Sequence, residues 1–160
     1  MNIPPRDFIK MCMSLEDYLK VVPKISIDNH DEIFRKLGGG KVTFPVAYIR
    51  DVIIFFQHYD SFESACEKWE IRKKRINTNK IIILLVDNNC TINEYKLFEQ
   101  IQYKNKYFIT GNELFIGKPD VCFIDHMTHD KKNWFDVMKG HIAKKYYEQL
   151  PLSEMLKIKD

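Results

Sequence analysis

The order of apolar runs predicts an α/β fold: a three-layer sandwich with a mixed, mainly parallel sheet. Three observations carry this expectation. Strand-length apolar runs alternate with helix-period segments between residues 52 and 110, which makes right-handed parallel crossovers the default connection. The run Lys80–Val86 (KIIILLV) is apolar without alternation, as in a strand covered on both faces inside a parallel sheet. It is therefore expected as the central strand, between Val52–Gln57 and Tyr103–Thr110. Finally, polar residues gather where the runs end: His58-Tyr59-Asp60-Ser61, Asp87-Asn88-Asn89 and Thr110-Gly111-Asn112. Ligands of open α/β sheets bind beyond the carboxyl ends of the strands.

The elements follow in chain order. Pro4-Pro5 before Phe8, Ile9 and Cys12 reads as a helix with proline in its first turn. Ser14 resets the pattern as an N-cap with Asp17 three residues on, and Pro23 ends the segment. Residues 24 to 41 are poorly patterned, and Gly38-Gly39-Gly40 reads as a turn. A phosphate loop would need Gly-Lys-Ser/Thr opening a helix, whereas Gly40-Lys41 is followed by the strand-like Val42-Thr43-Phe44-Pro45. Val42–Ile49 and Val52–Gln57 flank Arg50-Asp51 as a hairpin or bent pair. Asp60 or Ser61 then caps a helix, with Glu63 completing a box from Asp60. Phe62, Ala65, Cys66, Trp69 and Ile76 fall on its apolar face, and Trp69, in the middle of that face, is expected in the core. Thr91 and Glu94 form a second capping box ahead of Ile92, Tyr95, Leu97 and Phe98. Tyr103–Thr110 and Asp120–Ile124 are joined by only about ten residues, too few for a crossover helix, so an antiparallel pairing is expected. Asn133 caps a final helix through Trp134, Val137, Met138 and Ile142, and the tail after Pro151 is amphipathic.

Length and composition set limits. At 160 residues the chain reads as a single domain, residues 1–160, and 45% hydrophobic content places it among globular chains. A formal charge of +3 is too mild for a dedicated nucleic-acid binder. No apolar stretch reaches the roughly 20 residues of a membrane span, and MNIPPRDFIK lacks the apolar core of a signal peptide. A cytoplasmic location is the expectation. Cys12, Cys66, Cys90 and Cys122 are widely spaced without a Cys-x-x-Cys pair, which reads as reduced thiols in a core.

Candidate chemistry follows from the strand ends. His58 reads either as a general base or as a histidine tucked under a helix cap. Asp87 reads either as a holder of a metal–diphosphate or sugar hydroxyl, or as a cap of the turn through Asn88. Helix N-termini after these strand ends would present free N–H groups to a phosphate or carboxylate. Arg72, Lys73, Lys74 and Arg75 either oppose a helix dipole or offer an Arg pair to phosphate. Asp125-His126-Met127-Thr128-His129-Asp130 resembles a metal string but has no third ligand fixed by spacing, so no metal site is assigned. No cofactor is specified, and no catalytic triad is visible.

One resemblance adds to this reading. FPVAYIRDVIIFFQHYDSFESACEKWEIRKKRIN, then KIIILLVD and NEYKLFEQIQYKNKYFIT, with the earlier IPPRDFIK, resembles a bacterial family associated with exopolysaccharide or capsule biosynthesis, whose domain has no assigned function. The match runs from about Ile3 to Thr110 and resumes at WFDVMKG. Residue by residue it singles out His58, Tyr59, Ser61, Trp69, Arg72, Arg75, Asn77 and Asp87. Family members usually begin with a further strand–helix unit containing an Asn-Asn-Cys segment, ahead of where this match starts. They also tend to carry charged residues where this chain has Asn88-Asn89. The resemblance implies an intracellular α/β protein working near enzymes that build surface glycans. The expectation is a glycosyl- or acyltransferase-like enzyme acting on a phosphorylated or nucleotide-activated sugar, with His58 and Asp87 catalytic. Tyr59, Ser61, Arg72, Arg75, Asn77 and Asn88 would bind the ligand. The alternative is a non-catalytic binding or scaffold module of the assembly machinery.

Overall fold

The computed structural model describes residues 1–125, Met127, Leu150 and 152–155. Helix and strand are mixed, as an α/β reading requires. The chain divides into two compact units, Met1–Thr78 and Asn79–Asp160. Among the described residues the strands form two three-stranded sheets, ordered β1-β2-β3 and β4-β5-β6, where one mixed, mainly parallel sheet was expected.

In the first unit, α1 (Pro5–Met13) carries proline at its start and buries Ile9, Met11 and Cys12. Helix α2 (Leu15–Leu19) begins after Ser14, although the serine side chain makes no capping bond. The poorly patterned stretch holds a two-residue strand, β1 (Lys24–Ile25), and the short helix α3 (Asp31–Lys36). The glycines after α3 shape a turn. Gly38 has φ +82°, and a Cβ on Gly39 would overlap the Phe34 ring, so their use here is conformation and close packing.

Strands β2 (Val46–Ile49) and β3 (Val52–Phe55) form the expected hairpin, paired antiparallel from Val46↔Phe55 to Ile49↔Val52. Arg50 takes φ +56° in its turn. Every residue of β3 is buried, and Phe34, Phe44 and Phe55 pack with ring centroids 5.1 to 6.4 Å apart. Helix α4 (Phe62–Lys73) follows, with Ala65 and Trp69 inward. Ile76 lies beyond the end of α4 and is 39% exposed, so the apolar helix face is shorter than its pattern.

The second unit is built on β4 (Ile83–Val86), α5 (Ile92–Glu99), β5 (Lys106–Thr110) and β6 (Val121–Phe123). β4 pairs parallel with β5, from Ile83↔Lys106 to Val86↔Ile109. β5 also pairs parallel with β6, from Phe108↔Val121 to Thr110↔Phe123. Two expectations are corrected here. The central strand is β5, not Lys80–Val86: β4 alternates in burial, with Leu84 47% exposed between buried Ile83 and Leu85. The pairing of β5 with β6 is parallel because a 3-10 turn at Glu113–Phe115 makes the crossover. That turn drives Phe115 into the core, 5.2 Å from Phe108 and 5.3 Å from Tyr95 between ring centroids. A short helix, α6 (Leu152–Met155), contributes Met155 to a cluster with Ile109, Ile124 and Met127. The helix expected from Asn133 lies outside the described residues.

Lys106 is the least expected core residue. It is buried, and its ammonium donates to the carbonyls of Glu99 at 2.5 Å and Ile101 at 2.7 Å, at the end of α5. The charge opposes the negative end of the helix dipole and lies 5.7 Å from the Phe98 ring centre. Replacing it by methionine keeps the stem and leaves both carbonyls unpaired. Lys106→Met is expected to lose about 1–3 kcal/mol in urea unfolding; an unchanged midpoint would assign the lysine no structural role.

Candidate functional site

Beyond β3, the Phe56 N–H donates to the Pro45 carbonyl at 3.0 Å and the Tyr59 N–H to the Phe56 carbonyl at 3.1 Å. These bonds turn the chain at Gln57-His58 and set the Phe56 and Tyr59 rings edge to face, 5.8 Å apart at 89°. Ser61 then starts α4. Its hydroxyl accepts from the Ser64 N–H at 3.2 Å, and the Ser64 hydroxyl donates back to the Ser61 carbonyl at 2.9 Å. The cap is therefore Ser61 paired with Ser64, and the box read from Asp60 to Glu63 does not form.

These constraints leave a cavity of about 110 Å³ beside α4, lined by Phe56, Tyr59, Ala65, Trp69, Arg72 and Ile76 among others. Its wall is almost wholly apolar. Lys73 also borders it, but its ammonium is held by Glu70 at 2.6 Å, which gives that carboxylate oxygen its partner. Arg72 is exposed and makes no ion pair among the described residues. Trp69 is in the core as expected, at 7% exposure, yet its indole Nε1 is buried without a hydrogen-bond partner. An unpaired buried donor costs about 1–3 kcal/mol.

Of the residues picked from the sequence, the cavity brings Tyr59, Trp69 and Arg72 together. His58 is exposed in the preceding turn, Arg75 and Asn77 are exposed beyond α4, and Ser61 serves the cap. Phe56 and Ile76 were not singled out as site residues. The signal for them was an aromatic at the strand end and an apolar residue one turn past the helix, both legible as core.

In the second unit the strand ends do converge. Asn88 extends its side chain from the end of β4 across the end of β5. Its carbonyl accepts from the Gly111 N–H at 2.7 Å and the Thr110 hydroxyl at 3.4 Å, and its amide donates to the Met127 carbonyl at 3.2 Å. Asn112 returns a bond to the Asn88 carbonyl at 3.3 Å and caps the 3-10 turn by accepting from the Leu114 N–H at 3.1 Å. Asn88 thus acts as a clamp with both ends of its amide engaged. Asp87 accepts from the Asn89 N–H at 2.5 Å, forming the turn through Asn88. Burial raises its pKa above the ordinary carboxylate value, and the charge of Glu94 adds to this, against the backbone bonds from Asn89 and Cys90. The Thr91–Glu94 box forms as expected, with Glu94 Oε2 accepting from the Thr91 N–H at 2.7 Å and Thr91 Oγ1 from the Glu94 N–H at 3.2 Å. His58 and Arg72 belong to the first unit, Asp87 and Asn88 to the second.

Among the described residues no group of three His, Cys, Asp or Glu is placed to hold a metal ion. His126, Thr128, His129 and Asp130 of the metal-like string lie outside the described residues. No described helix is long and apolar enough to cross a membrane. All four cysteines are free, and burial pushes the thiols of Cys12 and Cys90 up to about 12, which leaves both as packing groups.

Residues 1–157 match a family described as a domain of unknown function, DUF1919. The chain belongs to that family. An uncharacterized protein of Haemophilus influenzae is 25% identical to this DUF1919 chain over 150 residues, covering 93% of the chain and 67% of the relative. Neither description mentions polysaccharide.

Two outcomes test this geometry. Trp69→Ala is expected to cost about 3–5 kcal/mol in chemical denaturation; a loss below about 1 kcal/mol would place the indole outside the core. Asp87→Asn keeps the acceptor of the turn and removes the charge. Because the folded pKa of Asp87 is raised above 3.8, its stabilising contribution is complete below that pH and is lost as pH rises through the folded value. The asparagine variant should match wild type at about pH 3 and exceed it near pH 7; equal stability at both would remove the raised pKa.

Proposed function

We propose that this protein binds an anionic, activated sugar in the cytoplasm and serves the assembly of a bacterial surface polysaccharide. The observation that carries the reading is Arg72, an exposed residue without an ion pair among the described residues that lines an aromatic cavity. Its planar fork suits phosphate oxygens, and an apolar pocket with a few placed polar groups is the usual form of a small-molecule site. The polysaccharide setting is supported by the motif resemblance running from Ile3 to Thr110. Within that setting a glycosyl or acyl transfer fits, with His58 of the first unit and Asp87 of the second as the candidate catalytic groups.

A binding or scaffold role has its own support. Ser61 is committed to a helix cap and Asn88 to a clamp, which takes two candidate ligand-binding side chains out of use. An enzyme and a binding module both require the ligand, and a scaffold does not. Calorimetric titration of a panel of nucleotide-sugars into wild type and Arg72→Ala is expected to show binding weakened about tenfold or more in the variant, the scale of a lost charge-assisted hydrogen bond. Unchanged binding in Arg72→Ala would overturn the site. Turnover of a bound donor in the presence of acceptor glycans separates enzyme from binding module.

A further inference from the structure

We infer that the free edge of β1 joins two copies of this chain, as an antiparallel strand pair centred on Ser26. β1 is the outer strand of the first sheet: β2 takes one side of it, and among the described residues no strand takes the other. Lys24 pairs with Tyr48 and Ile25 with Ala47, and the Ser26 N–H donates to the Val46 carbonyl at 2.8 Å. Backbone groups alternate sides along an antiparallel ladder. Those of Lys24 and Ser26 therefore face β2, and those of Ile25 face outward, as do those of Ile27 once the strand is extended by two residues. Outward, unpaired backbone groups are what an added strand binds. Ile25 is 55% and Ile27 94% exposed, so this edge is apolar as well as unpaired.

The local sequence selects the occupant. Lys24-Ile25-Ser26-Ile27-Asp28 reads the same in both directions except that its terminal charges exchange. Laid antiparallel on itself about Ser26, each Lys24 faces Asp28 of the second copy and each Ile25 faces Ile27. The four isoleucines then share one face and the two charge pairs share the other. An in-register parallel pairing would oppose Lys24 to Lys24 and Asp28 to Asp28, which is unfavourable. Lys24 and Asp28 are exposed, and neither makes an ion pair among the described residues. The segment is also held in place. Ser26 Oγ lies 2.7 Å from Nε2 of the buried His30 and accepts from the Asp28 N–H at 3.3 Å. The chain bends at Asp28, which ends the pairing there and leaves the carboxylate for Lys24. The arrangement is two-fold and closed, so it stops at a dimer. Residues 24 to 28 are far fewer than the roughly 20–30 residues a side of a stable interface, so the dimer is weak and reversible.

The test is sedimentation equilibrium of the full chain from micromolar to millimolar concentration. Wild type is expected to show a reversible monomer–dimer equilibrium. Ile27→Asn, Lys24→Asp and Asp28→Lys are each expected to weaken it by about tenfold or more, because every substitution acts twice in the dimer. Their circular dichroism spectra and urea midpoints should match wild type, since all three residues are exposed. The double variant Lys24→Asp/Asp28→Lys restores both charge pairs and should dimerise as wild type does. So should an equimolar mixture of the two single charge variants, as a heterodimer. A wild type that stays monomeric overturns the inference and leaves this edge to a different chain. A dimer that survives Ile27→Asn overturns it by placing the contact elsewhere. Charge variants that weaken the dimer without rescue, in the double variant or in the mixture, overturn the antiparallel register.

Discussion

The outer edge of β3 sets the arrangement of the first unit. A strand with no exposed residue must be covered on both faces, and its backbone groups must find partners. The inner edge is satisfied by β2. On the outer edge Phe55 exchanges two 2.8 Å hydrogen bonds with Asn2, and the Ile53 N–H is taken by the Asp7 carboxylate at 2.9 Å. One short segment thus finishes the strand and launches α1 beside it, because Asp7 sits in the first turn of that helix. An edge closed in this way has no donors left for another strand at Ile53 or Phe55. The parallel neighbour expected in β4 is therefore excluded from these positions by local chemistry.

That closure explains which parts of the fold were legible. The hairpin, α1, α4 and α5 were readable because their signals are local: a turn between two apolar runs, a proline, a capping residue, a 3.6-residue period. Pairing is not local. KIIILLV announces burial but not which neighbours provide it, and Leu84 shows that even a continuous apolar run can leave one side chain half exposed. The link after β5 failed for a related reason. About ten residues is the lower limit for a crossover, and the chain meets it with a 3-10 turn anchored by Phe115 at 0% exposure. A single phenylalanine among Gly111, Gly117 and Pro119 carries too little periodicity to announce that anchor.

The polar strand ends show the same division between type and use. Sequence located His58-Tyr59-Asp60-Ser61, Asp87-Asn88-Asn89 and Thr110-Gly111-Asn112, and the last two meet through Asn88. What sequence could not separate is a polar group spent on the backbone from one free for a ligand. Ser61, Asn88 and Asn112 all satisfy exposed or buried N–H groups at turns and helix starts, the role for which Ser, Asn and Asp are suited in any fold. Such residues at strand ends carry an ambiguous signal, because the turn that creates a ligand crevice needs the same side chains to hold itself.

The cavity beside α4 lies on the other side of that ambiguity. A cation in the last turn of a helix is explained by the dipole alone, which accounts for Arg72 and Lys73 equally. The two nevertheless differ: Lys73 is half-buried in an ion pair with Glu70, while Arg72 is exposed beside an apolar hollow. The dipole does not require that hollow. Close-packed interiors retain few such spaces. Helix packing and capping therefore account for the position of α4 but not for the unfilled apolar wall it shares with Phe56 and Tyr59. A ligand that brings both an apolar group and an anion would fill the hollow and pair Arg72 at once.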